Sequence, residues 1–246
     1  MTSEVKVTVV IPALNEAENI VVLLEGIDAA MANRSDYEII VVDDGSTDDT
    51  GALVLAGPAH WRVLRHSQKA GQSAAVHSGV TAARGDLIVT LDGDGQNPPK
   101  FIPTVLAPLE GDAAESPALV AGQRAKRQDT FSKRWASKAA NAIRSGLLKD
   151  ETRDTGCGLK AFRRDAFLEL PFFNHMHRYL PALFARAGYS VHHVDVGHAP
   201  RVAGASKYNN LQRALVGAVD LLGVYWLIKR RKIATAQERA REDKSP

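Results

Sequence analysis

The 246-residue chain contains a single cysteine, Cys157, which excludes an internal disulfide and a cysteine-rich zinc site and favours a reducing compartment, the cytoplasm. Aromatic residues make up only 6% of the chain, and the basic residues lack the interleaved aromatics of a single-strand binder, so we expect no nucleic-acid partner. The first residues lack a basic region followed by an apolar region, and we expect no secretory signal.

A long apolar run is also missing. Residues 214–228 form a 15-residue segment with one charge, Asp220, whereas a transmembrane helix needs about 20 apolar residues. Tyr225 and Trp226 precede the cations at 229–232, as in helices at a membrane interface. Two interpretations of residues 209–232 therefore stay open: an amphipathic helix at the membrane interface, or a helix packed on its own domain or on a second subunit. Residues 233–246 form a charged tail.

The charges are unevenly distributed along the chain. Residues 1–100 carry 14 Asp and Glu against 7 Lys and Arg, whereas residues 101–246 carry 14 against 24. An acidic, metal-compatible part followed by a basic part suits a phosphate-rich substrate and an anionic acceptor or membrane surface. The length suits one large α/β domain, alone or with an appendage, and the apolar fraction of 45% supports a sizeable core.

Apolar runs alternate with helical patterns, which predicts an α/β fold with a mainly parallel sheet flanked by helices. The predicted strands cover residues 5–11, 38–42, 61–64, 87–91, 119–122 and 189–196, and a short strand follows a turn within residues 154–162. Helices are predicted after an Asn15 cap, after a Ser46 or Thr47 cap, and over residues 71–83, 132–148, 175–187 and 211–228.

Polar clusters follow three of these strands, at residues 12–16, 43–46 and 92–96. The carboxyl ends of parallel strands lie at one edge of a sheet, where open α/β sheets bind ligands, so the clusters are expected to line one cleft. Asp92 and Asp94 can together hold Mg²⁺ or Mn²⁺, and such a metal can bridge a diphosphate. An isolated pair of this kind would as readily be an acidic turn, and its surroundings favour the metal site.

Taken in order, these motifs resemble the family 2 glycosyltransferases of GT-A fold, which is a Rossmann-like fold. The residues that carry the resemblance are 10–16 (VIPALNE), 41–48 (VVDDGSTD), 71–75 (GQSAA) and 92–99 (DGDGQNPP). Residues 122–124 (GQR), 154–160 (DTGCGLK) and 201–208 (RVAGASKY) are similar to the polyprenyl-phosphate glycosyltransferases, the dolichol-phosphate mannose synthase branch. The resemblance runs from about residue 7 to residue 208.

The resemblance implies an inverting, metal-dependent transfer of a sugar from a GDP- or UDP-linked donor to undecaprenyl or dolichyl phosphate. It implies a catalytic domain over residues 1–208, with a nucleotide-sugar half at 1–124 and an acceptor half at 125–208. The enzyme would act peripherally at the cytoplasmic face of a membrane, on the membrane surface or beside a membrane-embedded partner, and could form a homo-oligomer.

The resemblance also implies roles for individual residues of the nucleotide site. Pro12, Leu14 and Glu16 occupy the positions of the first nucleotide-binding loop. Leu14 departs from the aromatic residue often found there, which removes the stacking partner for the base. Val42 and Asp44 match the second base-contacting position.

Further roles concern the metal and the phosphates. Asp92, Gly93 and Asp94 match the metal and diphosphate motif, and Gln96 matches a further metal ligand. Arg124 and Arg134 match basic positions near the diphosphate and the acceptor phosphate. Arg201 and Lys207 match a late basic loop that closes over the phosphates. We predict Asp94 and the cations Arg124, Arg201 and Lys207 as the catalytic residues.

The expected chemistry needs no catalytic base. Charge builds on the leaving phosphate, where a divalent cation and arginines stabilise it, and a lipid phosphate is already an anion that can attack unaided. The alternatives are a family member that uses a hydroxyl acceptor, with Glu151 or Asp154 as the base, and a non-catalytic nucleotide-sugar-binding module. Asp154 could otherwise orient Arg153, approach the sugar or cap a turn. We expect His175 and His177 at an exposed helix end.

Overall fold

A computed structural model describes residues 4–111, 116–124, 144–148, 150, 152–197, 199 and 210–232, with side chains of the last segment from residue 216. The strands are β1 Val7–Ala13, β2 Tyr37–Asp43, β3 Trp61–Arg65, β4 Leu87–Thr90, β5 Leu119–Arg124, β6 Lys160–Arg163 and β7 Val191–Val196. The labelled α-helices are α1 Ile20–Ala30, α2 Thr50–Leu55, α3 Gln72–Ala82, α4 Ile102–Leu106, α5 Arg164–Leu168, α6 Leu180–Arg186 and α7 Asn210–Arg230, and residues 144–148 are also helical. Short 3₁₀ helices occur at Pro99–Phe101, Ala107–Leu109 and Met176–Arg178.

The seven strands form one sheet in the order β3-β2-β1-β4-β6-β5-β7. β6 runs antiparallel to β4 and β5, and the other pairs are parallel. The carboxyl ends of β1, β2, β4 and β5 therefore lie at the same edge, as the sequence predicts for the first, second and fourth strands. The sheet is mainly parallel, and the predicted α/β architecture is confirmed.

Helices cover both faces of this sheet. Ile20, Leu24 and Ile27 of α1 pack with residues of α2 and α4 on one face, and all three are fully buried. On the other face, α3, α5 and α6 bury an aromatic cluster in which the rings of Phe162 and Phe167 stack with centroids 4.9 Å apart. Burial of each such side chain contributes about 1.5–3 kcal/mol, so both layers hold the sheet edge in place.

β1 continues past Pro12, where the sequence pattern predicts its end. The carbonyl of Val10 accepts the Leu91 amide, so Pro12, two residues on, faces the same side. Pairing with β4 has already stopped at Thr90, while pairing with β2 continues to Ala13. The missing N–H of Pro12 therefore removes no ladder hydrogen bond.

The predicted helix starts at Asn15 and at Ser46 or Thr47 are wrong. α1 begins at Ile20 and α2 at Thr50, and neither has a side-chain hydrogen bond at its N-cap. The side chains of Asn15 and Ser46 instead accept backbone amides of the opposite loop, Thr47 N at 2.8 Å and Asn15 N at 2.9 Å. Residues 175–187, predicted as a helix that Pro181 could kink or break, form a 3₁₀ turn and then α6, in which Pro181 occupies the first turn, where proline is tolerated.

α7 packs with one face against the aromatic layer. Val224 is buried, the Tyr179 hydroxyl donates to the Gly217 carbonyl at 3.2 Å, and Arg186 Nε donates to the Leu227 carbonyl at 2.8 Å. Within the described segments, no helix combines the length and apolarity needed to cross a membrane.

Candidate active site

The first two polar loops are joined by side-chain to backbone hydrogen bonds. Consecutive amides of the first loop are bound by side chains of the second: Asn15 N by Ser46 Oγ at 2.9 Å, Glu16 N by Thr50 Oγ1 at 2.9 Å and Ala17 N by Asp48 Oδ2 at 3.1 Å. In return, Asn15 Oδ1 accepts the Thr47 amide at 2.8 Å, and the Asn15 backbone is left-handed with φ 56°. These bonds hold the two loops together at the carboxyl edge of the sheet, where Pro12, Leu14 and Glu16 are half-buried.

Asp44 anchors the loop that leads into α3. One carboxylate oxygen accepts His66 Nδ1 and the Ala70 amide, both at 2.8 Å, and the other accepts the Gly71 amide at 2.8 Å. Burial alone would raise the pKa of Asp44, but these hydrogen bonds outweigh burial and lower it. Val42 is fully buried in the core, so only its backbone is available to a base. The contact of Asp44 with a base stays a prediction.

The acidic motif lies directly after β4. Asp92 Oδ1 accepts Gln72 Nε2 at 2.7 Å, and Asp92 Oδ2 accepts Asn97 Nδ2 at 3.1 Å. The Asp94 carboxylate accepts the Gln96 amide at 3.1 Å. Burial and then the nearby charge of Asp94 raise the pKa of Asp92, so the two acidic groups form one electrostatic unit.

Two glycines allow close packing around this motif. A Cβ on Gly93 would lie 3.1 Å from the Pro12 carbonyl, so Gly93 brings the motif against the first loop. A Cβ on Gly158 would lie 2.3–2.5 Å from the carboxyl atoms of Asp92. The turn that precedes β6 therefore packs directly against the Asp92 carboxyl group. The Thr90 hydroxyl holds this turn by donating to the Gly158 carbonyl at 2.8 Å.

Arg124, the last residue of β5, is paired with Asp154. Arg124 Nε lies 2.5 Å from Asp154 Oδ2, and Nη2 lies 2.8 Å from Oδ1. The suggestion that Asp154 orients Arg153 is wrong, because Arg153 binds Gln123 Oε1 at 2.6 Å and Asp195 Oδ1 at 2.7 Å. The β5 end and the 152–156 turn are adjacent because β5 and β6 pair in the sheet.

Lys160 adds a buried positive charge behind the acidic motif. Its side chain is almost fully buried, and Nζ donates to the Cys157 carbonyl. Burial lowers the pKa of Lys160, and the charges of Asp92 and Asp154 oppose this effect. Cys157 is itself buried, and burial raises the pKa of its thiol, which suits a packing role.

These residues fit a divalent cation bound together with substrate. The three aspartates and two cations of the cluster carry one net negative charge when ionised (Asp92, Asp94, Asp154, Arg124 and Lys160). The described segments hold no group of three or more His, Cys, Asp or Glu side chains that could enclose a metal without other ligands. Mg²⁺ is usually held by one or two carboxylates plus substrate phosphates, and Asp92 and Asp94 are carboxylates of that kind, whose metal binding stays a prediction. Whether Gln96 is a further ligand stays a prediction.

Three of the predicted site residues, Arg134, Arg201 and Lys207, lie outside the described residues. The chain nevertheless reaches the acidic motif shortly before the late basic loop, because the Ala199 amide donates to the Gln96 carbonyl at 3.1 Å. The structure therefore brings together the first loop, Asp44, the acidic motif and Arg124, and gives no position for the other three cations.

His175 and His177 do not form the exposed helix end that the sequence suggested. His177 Nδ1 lies 2.8 Å from Ser73 Oγ at the start of α3. His175 has a left-handed backbone, φ 68°, and its Nδ1 lies 2.9 Å from Asp220 Oδ2 of α7. The two histidines thus connect α3, next to the acidic motif, with the C-terminal helix.

His177 makes stability depend on pH. Burial, and then the charges of Lys160 and Arg178, lower the pKa of His177 to about 3. The unfolded chain binds a proton near pH 6.5 and the folded chain does not, so stability is complete above pH 6.5 and falls by about 1.4 kcal/mol per pH unit below it. We expect urea unfolding at pH 7, 6 and 5 to show a shallower decline for His177→Gln than for wild type. His192→Gln, at an exposed position of β7, should keep the wild-type decline. Equal declines in all three proteins would contradict this assignment.

Sequence reasoning missed several residues that shape the site. Gln72 and Asn97, which hold Asp92, belong to the motifs at 71–75 and 92–99 and could have been found there. Lys160 ends the motif at 154–160, but that motif did not indicate its contact, because only the pairing of β6 with β4 brings it behind the acidic motif.

Comparisons with known proteins show the family of the chain. Residues 8–170 match the family described as Glycosyl transferase family 2, so the chain belongs to that family. The undecaprenyl-phosphate 4-deoxy-4-formamido-L-arabinose transferase of Photorhabdus laumondii is 34% identical over 209 residues, which are 83% of this chain and 63% of that protein. The dodecaprenyl-phosphate galacturonate synthase of Rhizobium johnstonii is 34% identical over 232 residues, 91% of this chain and 68% of that protein. The chain thus spans about two thirds of the length of these relatives.

A solved structure shows the same fold. Glucosyl-3-phosphoglycerate synthase from Mycobacterium tuberculosis, in complex with Mn²⁺, uridine diphosphate and glucosyl-3-phosphoglycerate, matches with a TM-score of 0.68 and 21% identity. The match covers 92% of this chain and 81% of that one. The architecture is therefore that of the GT-A glycosyltransferases, as the sequence predicts.

Proposed function

We propose that the chain transfers a sugar from a GDP- or UDP-sugar to a polyprenyl phosphate, with inversion and with Mg²⁺ or Mn²⁺ as cofactor. The observation that carries this proposal is the meeting of Asp92, Asp94 and Arg124 at the sheet edge where the joined loops form the cleft. The names of the relatives support a polyprenyl-phosphate acceptor. We retain a nucleotide-sugar half at 1–124 and an acceptor half at 125–208.

The chemistry follows from charge. When bound at Asp92 and Asp94, a divalent cation supplies charge neutralisation for the leaving diphosphate. Arg124 adds a fixed positive charge at the same edge, where little reorganisation is needed during the reaction. The acceptor is an anion, so its approach needs cations more than a base, and we assign that task to Arg134, Arg201 and Lys207.

A panel assay tests the proposal. Nucleotide-sugars are supplied one at a time with a short polyprenyl phosphate and Mn²⁺ or Mg²⁺, with and without EDTA. The expected result is a prenyl-linked sugar from one donor, lost on adding EDTA and restored by excess metal. Transfer only to a sugar or protein hydroxyl would replace the acceptor class, and nucleotide binding with no turnover of any donor would favour a non-catalytic module.

We further propose that α7 docks the enzyme on the cytoplasmic face of a membrane. The face opposite Val224 exposes four large apolar side chains at three- and four-residue spacing: Val216, Val219, Leu222 and Trp226, exposed by 41–69%. Lys229 and Arg230 follow, and the Arg230 guanidinium lies 6.0 Å from the Trp226 ring. An apolar stripe bordered by aromatics and cations is typical of a helix that lies in a membrane interface. α7 would then pack on its own domain with one face and on lipid with the other.

We expect the double variant Leu222→Glu/Trp226→Glu to lose vesicle binding. Two large apolar side chains would leave the lipid and two anions would approach it, which should weaken binding to phosphatidylglycerol-containing vesicles by at least about tenfold. Sedimentation with vesicles measures the effect. The matched control is Val22→Glu/Leu55→Glu, because these side chains are 72% and 70% exposed on α1 and α2.

Two results would overturn this docking. Unchanged vesicle binding by the α7 variant would place the membrane contact elsewhere. A wild-type dimer in solution that becomes a monomer in the α7 variant, with no vesicle binding by either, would make the stripe an interface between two copies of the chain.

A further inference from the structure

We propose that Asp154 is a positioning residue that fixes the guanidinium of Arg124 for contact with the leaving diphosphate, and that it does not act as a general base. This inference rests on the proposed function, in which Arg124 faces the diphosphate. The sequence alone left four roles open for this side chain: general base, orienting Arg153, contacting the sugar and capping a turn.

The contact between the two side chains is bidentate. Nε and Nη2 of Arg124 each face a different oxygen of Asp154, at 2.5 and 2.8 Å. Such parallel pairs fix the plane of the guanidinium as well as its position, which a single hydrogen bond does not. Both side chains are largely buried, with 14% and 8% of their surfaces exposed, so solvent screens the pair only weakly.

The carboxylate is itself held by the backbone. Asp154 Oδ1 accepts the Gly156 amide at 3.1 Å, and Oδ2 accepts the amide of Arg124 at 3.4 Å. A Cβ on Gly156 would lie 3.0 Å from Arg124 Nη2, so the turn closes tightly over the pair. The backbone therefore fixes Asp154, and Asp154 fixes Arg124.

The pair leaves part of the guanidinium available. Arginine has five N–H groups, and the two nitrogens bonded to Asp154 use one each, so the Nη1 pair remains for an anion. The hydrogen bonds with Asp154 are the main cause that raises the pKa of Arg124, and the charge of Asp92 contributes a smaller part. The guanidinium therefore lies within electrostatic reach of the metal motif. This is the position required of a cation that meets charge building on a diphosphate.

Asp154 is poorly suited to be a base. Burial raises its pKa, but the hydrogen bonds from Arg124 prevail and the net pKa is lowered. A carboxylate with a low pKa and both oxygens occupied by donors is a weak proton acceptor at neutral pH. An acceptor phosphate, already ionised, has no proton that must be removed.

A double-mutant cycle of Asp154→Asn, Arg124→Met and the double variant tests the proposal. Removing a preorganised cation should lower kcat by about 10²–10³-fold in Arg124→Met. Asp154→Asn keeps the size of the side chain but turns one N–H group towards the guanidinium, and should lower kcat by at least about tenfold. Because Asp154 acts through Arg124, the double variant should be no slower than Arg124→Met. KM for the acceptor should change little, and the pH profile of Asp154→Asn should parallel that of wild type.

A neighbouring pair supplies the control. Arg153 and Asp195 also form an Arg–Asp contact, at 2.7 Å, but their side chains are 73% and 59% exposed. Arg153→Met and Asp195→Asn should leave kcat unchanged.

Three results would overturn the proposal. If the losses of kcat in the two single variants multiply in the double variant, and if Asp154→Asn lacks the acid limb of the pH profile, Asp154 acts as a base. A lowered melting temperature with normal kcat for the folded protein would make its role structural. Equal affinity of wild type and Asp154→Asn for a metal–nucleoside diphosphate, measured by calorimetry, would show that Asp154 does not position Arg124 for the diphosphate. The calorimetric measurement needs no turnover, so it tests the role of Asp154 even if no donor in the panel is transferred. Failure of the whole panel would count against the proposed function alone.

Discussion

Replacement of Asp94 by alanine should abolish sugar transfer while leaving the fold intact. Asp94 lies half-exposed in the turn after β4, where its carboxylate accepts the amide of Gln96, and it is not part of the buried apolar core. Loss of the carboxylate halves the acidic donor set for a divalent cation and removes the charge that neutralises a leaving diphosphate. We expect kcat/KM to fall by at least about 10³-fold, which corresponds to about 4 kcal/mol of transition-state stabilisation.

The measurement pairs transfer rates with Mn²⁺ binding by calorimetry and with the melting temperature. Asp86→Ala is the matched control, because Asp86 is an exposed aspartate directly before β4, at the opposite end of the same strand. It should retain activity and metal binding. Normal transfer by a folded Asp94→Ala protein would remove the metal role from this motif.

The sheet and the location of the cleft could be predicted because they depend on local pattern. β-branched runs such as those of β1 and β2 form buried strands almost wherever they occur in an α/β chain. Polar residues at the end of one parallel strand must lie near those at the end of the next, so Asp44 and Asp92 could be assigned to one edge before their contacts were known. The family motifs then supplied the chemistry.

The contacts within the cleft could not be predicted, because they join residues far apart in the chain. Asp154 lies next to Arg153 in sequence but binds Arg124, 30 residues away, because β6 pairs with β5. Asn15 has the composition of a helix cap, yet its side chain binds the loop at residues 46–50, and tertiary hydrogen bonds override the local preference. His177 looked like a surface residue until α3 placed Ser73 against it.

Addition of one methyl group at Gly158 should nearly inactivate the enzyme. Its Cβ would lie 2.3–2.5 Å from the carboxyl atoms of Asp92, a separation that real atoms do not tolerate. Asp92 must then move by about 1 Å and lose its hydrogen bonds to Gln72 and Asn97, and a misplacement of this size costs about 10²-fold in rate. We expect Gly158→Ala to fold, to bind Mn²⁺ more weakly and to lower kcat/KM by about 10²-fold or more. Gly223→Ala, on a glycine of α7 with no atom within 4 Å of the added Cβ, should remain active.

A second substitution separates steric displacement of Asp92 from a general effect on the turn. In an Asp92→Ala background, the space that the new methyl group needs is empty. Gly158→Ala should then cost no additional stability, although it destabilises the wild type, and this non-additivity is the signature of direct contact. If Gly158→Ala lowers the free energy of unfolding equally in wild type and in Asp92→Ala, the turn at residues 154–159 does not tolerate a side chain at this position. Displacement of Asp92 would then be only a consequence.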